Sequence, residues 1–399
     1  MKRIIFLLIL VLTAQSLYAN TVERILTEFS SVRTALSINP DILASAQDFE
    51  CAVQRAREAR SLYFPKINLN LNLSKSNNLE SVLISGDSFS NLTYLPSGKK
   101  DLYFVIRPSI WLNIYTGGRL KTTNKRAQIE VNRVKREEEV IKSKVINNVK
   151  IIFNDCLYYK TLLELYSLKI ENAKQGKIHL ARNEVESLIR KKTKVKFNYD
   201  RKVLSLLNAI GLDTNTIVDI SGELSPKMKD FNLDKCLLLA YQFKPEIKAT
   251  QEQEILDGLE LSLEAIKKYP NVSVGASYGM MSDNIMDGKL IGDKNDWCLL
   301  FAVNIPIPII DSDGLFAKIK QRKAILRKST MKRAKLENEI KLGVGQSLLE
   351  YNFWRTWAID AKLFEKNGQY DETDIKIMRN LNKSYYTLEL AVGVELDSY

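Results

Sequence analysis

The chain has 399 residues, 45% of them hydrophobic and 27% charged, so it can bury a core and is neither disordered, collagen-like nor a disulfide-stapled miniprotein. A single histidine and four scattered cysteines (Cys51, Cys156, Cys236 and Cys298) argue against a Cys/His zinc site and against a histidine-dependent triad. The net charge of +12 fits nucleic acid, an anionic membrane surface or a well-solvated basic protein, and seventeen glycines with nine prolines are few enough to predict long uninterrupted helices.

At the N-terminus Met1, Lys2 and Arg3 form a basic cluster, Ile4 to Leu12 an apolar run, and Leu17, Tyr18 and Ala19 a cleavage site, which predicts a signal peptide over 1–19. Nine apolar residues are too few to span a bilayer as a helix. Export also weighs against nucleic acid as a partner, because no reader motif accompanies the charge.

An internal repeat follows at a shift of 205 residues. Pro40, Asp41 and Ile42 face Pro245, Glu246 and Ile247, and Pro65 faces Pro270. The segments 41–64 and 246–269 between these prolines read as helices with acidic starts. Beyond the second proline the period changes to two: Ile67, Leu69, Leu71 and Leu73 alternate with Asn68, Asn70, Asn72 and Ser74, as Val272, Val274, Ala276 and Tyr278 alternate with Ser273, Gly275, Ser277 and Gly279.

After polar stretches at 77–100 and 282–295 a second strand is predicted in each copy. Leu102, Phe104, Ile106, Ile110 and Leu112 share one face of the first, and Trp297, Leu299, Phe301, Val303, Ile305 and Ile307 one face of the second. Glycines at Gly117, Gly118 and Gly314 then serve strand-to-helix turns. A helix is expected from 119 to about 173, with a seam through Val145, Val149, Ile152, Cys156, Tyr159, Leu163, Tyr166 and Ile170. Both copies end on a glycine helix stop, Gly211 and Gly393. The predicted organisation is a first repeat over 20–211 with a β-hairpin at 66–114, a linker at 212–243, a second repeat over 244–393 with a hairpin at 271–309, and a tail at 394–399.

Strands of this length with one apolar and one polar face have the pattern of a transmembrane barrel, apolar toward the lipid bilayer. Asn68, Asn70, Asn72, Ser74, Ser273 and Ser277 would then line the lumen. Two hairpins give four strands, too few to close, so a membrane-spanning reading requires oligomerisation.

The start Asn39 to Leu43, the proline before each first strand, the run Tyr115, Thr116, Gly117, Gly118 and Arg119, and the Leu/Ala/Gly ends at 211 and 393 together resemble the TolC-like outer membrane efflux protein family, over essentially the whole mature chain. The resemblance implies an α+β membrane protein that is no enzyme and needs no cofactor. It implies a homotrimer whose four strands per chain make a twelve-stranded outer membrane barrel above a periplasmic tunnel of helices. It further implies docking to a periplasmic adaptor (a membrane fusion protein) and an inner-membrane pump or ABC transporter, as the exit duct of a tripartite efflux or type I secretion system.

By position, Gly368 resembles the family's helical tip, and Asp374 an acidic residue at the channel entrance. Ile377 stands where a second acid is often found, which moves attention to Asp371; the alternative is an aspartate that caps the next helix. Both arms of the second copy are shorter than the family pattern by about two heptads, and in the first copy Gln175, Gly176 and Lys177 offer a turn without the tip motif. The rival to an export duct is therefore a structural coiled-coil scaffold with shortened arms.

Overall fold

A computed structural model describes residues 24–75, 82–84, 93–95, 102–175, 181–282, 294–306, 314–363, 366 and 370–396. The expected signal peptide, Gly176, Gly368 and the side chains of Asn72 and Ser74 lie outside what is described.

In chain order the elements are β1 (Arg24–Leu26), α1 (Glu28–Ile38), α2 (Pro40–Ser61), β2 (Lys66–Lys75), β3 (Val82–Ile84), β4 (Thr93–Leu95), β5 (Leu102–Tyr115), α3 (Arg119–Lys174), α4 (Arg182–Ile210), β6 (Val218–Ile220), α5 (Leu233–Phe243), α6 (Pro245–Ile266), β7 (Asn271–Ser282), β8 (Lys294–Asn304), α7 (Leu315–Asp360) and α8 (Glu372–Val392). Two compact units divide them, one of Met1–Phe49, Lys135–Ala249 and Arg333–Tyr399, the other of Glu50–Val134 and Thr250–Lys332.

The helices begin and stop where their chemistry dictates. Thr27 caps α1 in a reciprocal pair with Ser30, each backbone N–H donating to the other's hydroxyl (2.8 and 3.1 Å). Proline opens α2 and α6, where no intrahelical N–H is needed. Gly211 ends α4 at φ +93°, with its own N–H on Asn208 and that of Leu212 on Leu207, a Schellman turn. Gly393 ends α8 at φ +81°.

The repeat reaches further back than its prolines. Residues 212–243, expected as a linker or equatorial segment, contain β6 and α5, and α5 lies 205 residues after α1. Buried Ser31 and Ala35 of α1 occupy the positions of buried Cys236 and Ala240 of α5. At eleven residues α5 is short, which is why it was not separable from its surroundings in the sequence. Strand β1 pairs in parallel with β6 through Ile25 and Asp219, a three-residue ladder too short to register as a pattern.

In the first unit the long α3 supplies much of the core. Of the predicted seam, Val149, Cys156, Tyr166 and Ile170 are buried, and Val145, Ile152, Tyr159 and Leu163 pack at its margin. Val344 and Tyr351 of α7 and Met378, Leu381, Tyr385 and Val392 of α8 complete it. The irregular segment before α5 is tied to this core by buried amides and a phenol. Asn382 accepts from the Lys227 N–H (2.9 Å) and donates to the Ser225 carbonyl (2.8 Å), while the Tyr351 hydroxyl accepts from the Lys229 N–H (2.7 Å) and donates to its carbonyl (2.9 Å). The second copy has shorter arms: α7 and α8 have 46 and 21 residues against 56 and 29 in α3 and α4.

The second unit holds an antiparallel sheet in the order β2-β5-β7-β8. Each repeat contributes one hairpin, and the β5–β7 ladder joins them. Beneath it, Glu260 of α6 accepts from both Arg126 of α3 (2.9 Å) and Arg322 of α7. Gly117 turns at φ +61° against the Tyr269 side chain, whose Cβ would lie 2.6 Å from any Cβ placed there, so only glycine fits.

Candidate functional site

The sheet is built inside out for a water-soluble protein. One face carries the row Ile67, Ile110, Ala276 and Leu299, in direct register across all four strands. This apolar face is open: Ile67 is 76% exposed, Leu299 72% and Trp297 74%, with Leu69, Leu71, Phe301 and Val303 also exposed. The other face carries the row Asn68, Ser109, Ser277 and Cys298, and there Ser109 is only 5% exposed. Burial on folding ordinarily runs the other way, because exposed apolar area costs about 25 cal/mol per Å².

The expected lumen residues fall on the polar face. Asn68, Asn70, Ser273 and Ser277 are half-buried there, and the backbone register puts positions 72 and 74 on the same side. Sequence reasoning passed over three further residues of this face, Arg107, Trp111 and Lys66, because the reading followed the apolar positions of β5. The Trp111 ring lies flat on Gly275, opposite it in the ladder: a Cβ at Gly275 would stand 2.5 Å from the ring. Between Asn113 and Tyr115 the ladder slips by one residue, a bulge that carries Tyr115 to the register of Val272. Gly118 and Gly314, at φ +87° and +64°, stand beside the helix starts that follow β5 and β8.

A second constellation lies at the start of α8. Asp371 caps the helix, its Oδ1 accepting from the Thr373 and Asp374 N–H groups (2.8 Å each). Asp374 reaches back to the Asp371 N–H (3.0 Å) and takes the Lys366 ammonium on both oxygens (2.8 and 2.6 Å). It is 3% exposed. The amide hydrogen bonds from Asp374 and Thr373 outweigh partial burial and hold the Asp371 carboxyl below the usual carboxylate range, and the Asp374 carboxylate raises Lys366. Further along α8, Arg379 binds Asp155 (2.6 Å), which also takes Lys202 (2.7 Å). Burial alone would raise Asp155, but these two cations hold it low. Among the described residues no group of histidine, cysteine and carboxylate side chains could hold a metal ion.

The sheet and helices have known counterparts. The family model for the outer membrane efflux protein matches residues 32–187, from α1 into α4. The chain resembles the outer membrane efflux protein family. The matched stretch is less than half of the chain, and what it supports is likeness to that family. The efflux-protein fold extends over nearly the whole chain: a membrane protein from Pseudomonas aeruginosa aligns with TM-score 0.69 at 14% identity, covering 92% of this chain and 93% of its own. The MtrE outer membrane channel of Neisseria gonorrhoeae, in its open state, aligns with TM-score 0.65 at 12% identity (91% and 88%), and the outer membrane protein VceC of Vibrio cholerae with 0.63 at 11% (92% and 96%). No curated protein sequence matches the chain.

Proposed function

We propose that three copies of this chain close a twelve-stranded barrel and act as the exit duct of a tripartite efflux or secretion system, passing solutes from the periplasmic side to the exterior. The observation that carries this reading is the inverted sheet. An exposed apolar face backed by a half-buried polar face suits a wall with lipid outside and water inside. Strands β2 and β8 each have one ladder partner within the sheet, and an open edge in lipid leaves backbone groups unsatisfied at a cost of several kcal/mol each, which further copies remove.

The likeness to outer membrane efflux proteins supplies the partners of this reading: energy comes from an inner-membrane pump or ABC transporter, reached through a periplasmic adaptor. The start of α8 is the proposed periplasmic mouth, with Gly368 in its tip. There the engaged carboxylates of Asp371 and Asp374 support a role in holding the turn, and an acidic ring across three copies forms only where Lys366 lets go. The proposed domain division moves α5 into the second repeat, which then opens at Leu233.

Detergent-extracted protein should run as a heat-sensitive oligomer and give discrete conductance steps in a planar bilayer. Protein that washes from membranes with urea and never conducts would instead support a scaffold, the reading favoured by the short second-copy arms.

A further inference from the structure

Among the described helices, α1, α2, α4, α5, α6 and α8 each carry an acid in the first turn, as the helix dipole favours. Only α3 and α7, which follow strands β5 and β8 of the sheet, carry none there. Residues 115–129 contain Arg119, Lys121, Lys125 and Arg126 and no acid, and residues 314–328 contain Lys318, Lys320, Arg322 and Lys323, with two further cations, and again no acid. Arg126 and Arg322 are engaged by Glu260, but Arg119, Lys121, Lys125, Lys318, Lys320 and Lys323 are exposed and have no ion-pair partner among the described residues. Lys268, just after α6, adds an exposed ammonium 5.5 Å from the centre of the Tyr269 ring. The acids closest to these positions in the sequence are Glu58, Glu264, which takes Lys267 (2.7 Å), and Asp311 and Asp313, which lie outside the described residues; the edge stays positive with all four counted. A cation beside a helix start opposes the dipole, so this charge serves something other than helix stability.

At the same edge the sheet turns aromatic residues outward. The bulge between Asn113 and Tyr115 switches the parity of β5, so Tyr115 leaves the polar face and stands opposite Val272 on the apolar one. It is exposed there, as are Phe64 before β2, Tyr269 before β7 and Ile305 after β8. Amphipathic rings settle where hydrocarbon gives way to headgroups, and Lys and Arg stems extend past them. We propose that this edge is a collar that binds the phosphates of anionic phospholipids in the periplasmic leaflet, with Arg119, Lys121, Lys268, Lys318, Lys320 and Lys323 as its cations. The inference rests on the reading that the apolar face meets lipid with the helices on the periplasmic side. Continuity and charge choose the occupant: the collar runs on from the face that lipid chains would cover, and an anionic headgroup is the counter-charge at that height. Its helical cations lie within about 12 Å of the helix starts at the rise of an α-helix, and helical side chains lean toward the N-terminus, here toward the sheet.

Electron paramagnetic resonance of the oligomer in lipid vesicles tests this, with phosphatidylglycerol or phosphatidylcholine spin-labelled near the chain end reporting the lipid immobilised at the protein surface. Phosphatidylglycerol should associate about threefold more strongly than phosphatidylcholine, and the preference should shrink at high salt. K318Q/K320Q/K323Q and R119Q/K121Q/K268Q should each weaken the preference, and the two sets combined should abolish it while the amount of immobilised lipid stays the same. K318R/K320R/K323R keeps the charge and should keep the preference, and an unheated gel confirms that each variant assembles. Equal association of the two lipids with the wild type overturns the collar and leaves its charge to an acidic protein partner. A preference that survives the combined variant also overturns it. In both cases the apolar wall stands, whereas no immobilised lipid of either kind overturns the reading of the apolar face as a membrane wall.

Discussion

Two residues before each helix-ending glycine, a carbonyl is claimed from the far end of the repeat. Asn39 donates to Ala209 (2.8 Å) and Lys244, its equivalent at a shift of 205, donates to Ala391 (3.1 Å). Asn39 also caps α2 by accepting from the Asp41 N–H (2.9 Å), so N39A should lower stability by about 1–2 kcal/mol in thermal unfolding of the extracted protein. The backbone of Ile38 and Asn39 presses on Gly211, where a Cβ would lie 3.0 Å from the Ile38 oxygen; G211A adds strain at positive φ and should cost about 1–3 kcal/mol. Asp371 and Asp155 both have carboxyls held low in the folded chain. A depressed carboxyl stabilises the fold fully above its unfolded pKa near 4 and loses that contribution as pH falls through its lower folded value. Protection of the amides at the start of α8, taken relative to their intrinsic exchange rate at each pH, should therefore be high at pH 7 and fall as pH drops toward 3, and D371N should remove most of that fall. The helix-stop glycines and prolines were legible because each acts locally through its own backbone. The grip of Lys366 on Asp374 was not, since a loop decides which cation returns to which acid.

At the scale of elements, period-two alternation located the four sheet strands and the faces of their described apolar residues, because a strand offers only two directions for a side chain; the fourth was expected to run to 309, whereas β8 ends at Asn304 and Ile307 lies outside the described residues. The same rule put Trp111 opposite the counted apolar residues, yet its packing against Gly275 shows only in the folded sheet. The bulge at Asn113 and Tyr115 escaped detection, since one extra residue flips parity without leaving a compositional mark. Helix α5 and the β1–β6 ladder escaped for want of length. The two faces of the sheet should respond oppositely to charge. L299R puts a guanidinium mid-strand on the apolar face and should cost about 2–4 kcal/mol in a folding titration, with reduced yield of membrane-inserted protein. S277R, on the polar face in the adjacent strand, should fold near wild-type stability and alter conductance alone.

At the scale of the whole molecule, the ladder between the repeats is a template for the ladder between chains. Val272 stands to Val303 as Ile67 stands to Ile110, so β5 corresponds to β8 and β7 to β2. Carrying the Ser109–Ser277 register of the β5–β7 joint through that correspondence places Asn304 of one chain opposite Asn70 of the next, both on the polar face. An N70C/N304C double variant with Cys298 replaced by serine should form an oxidised ladder of dimers and trimers on denaturing gels, and pairs offset by two residues should not. The open edges of β2 and β8 also have a genetic consequence. A copy whose β8 edge is blocked, for instance by proline at Ala302, still offers a good β2 edge and so enters rings that it cannot complete. Expressed equally with wild type, it would leave only about one ring in eight free of it, the cube of one half, if closure draws three chains at random. Loss of function from such a variant should be dominant, and the loss of export activity measured against the ratio of the two gene doses should follow a third power.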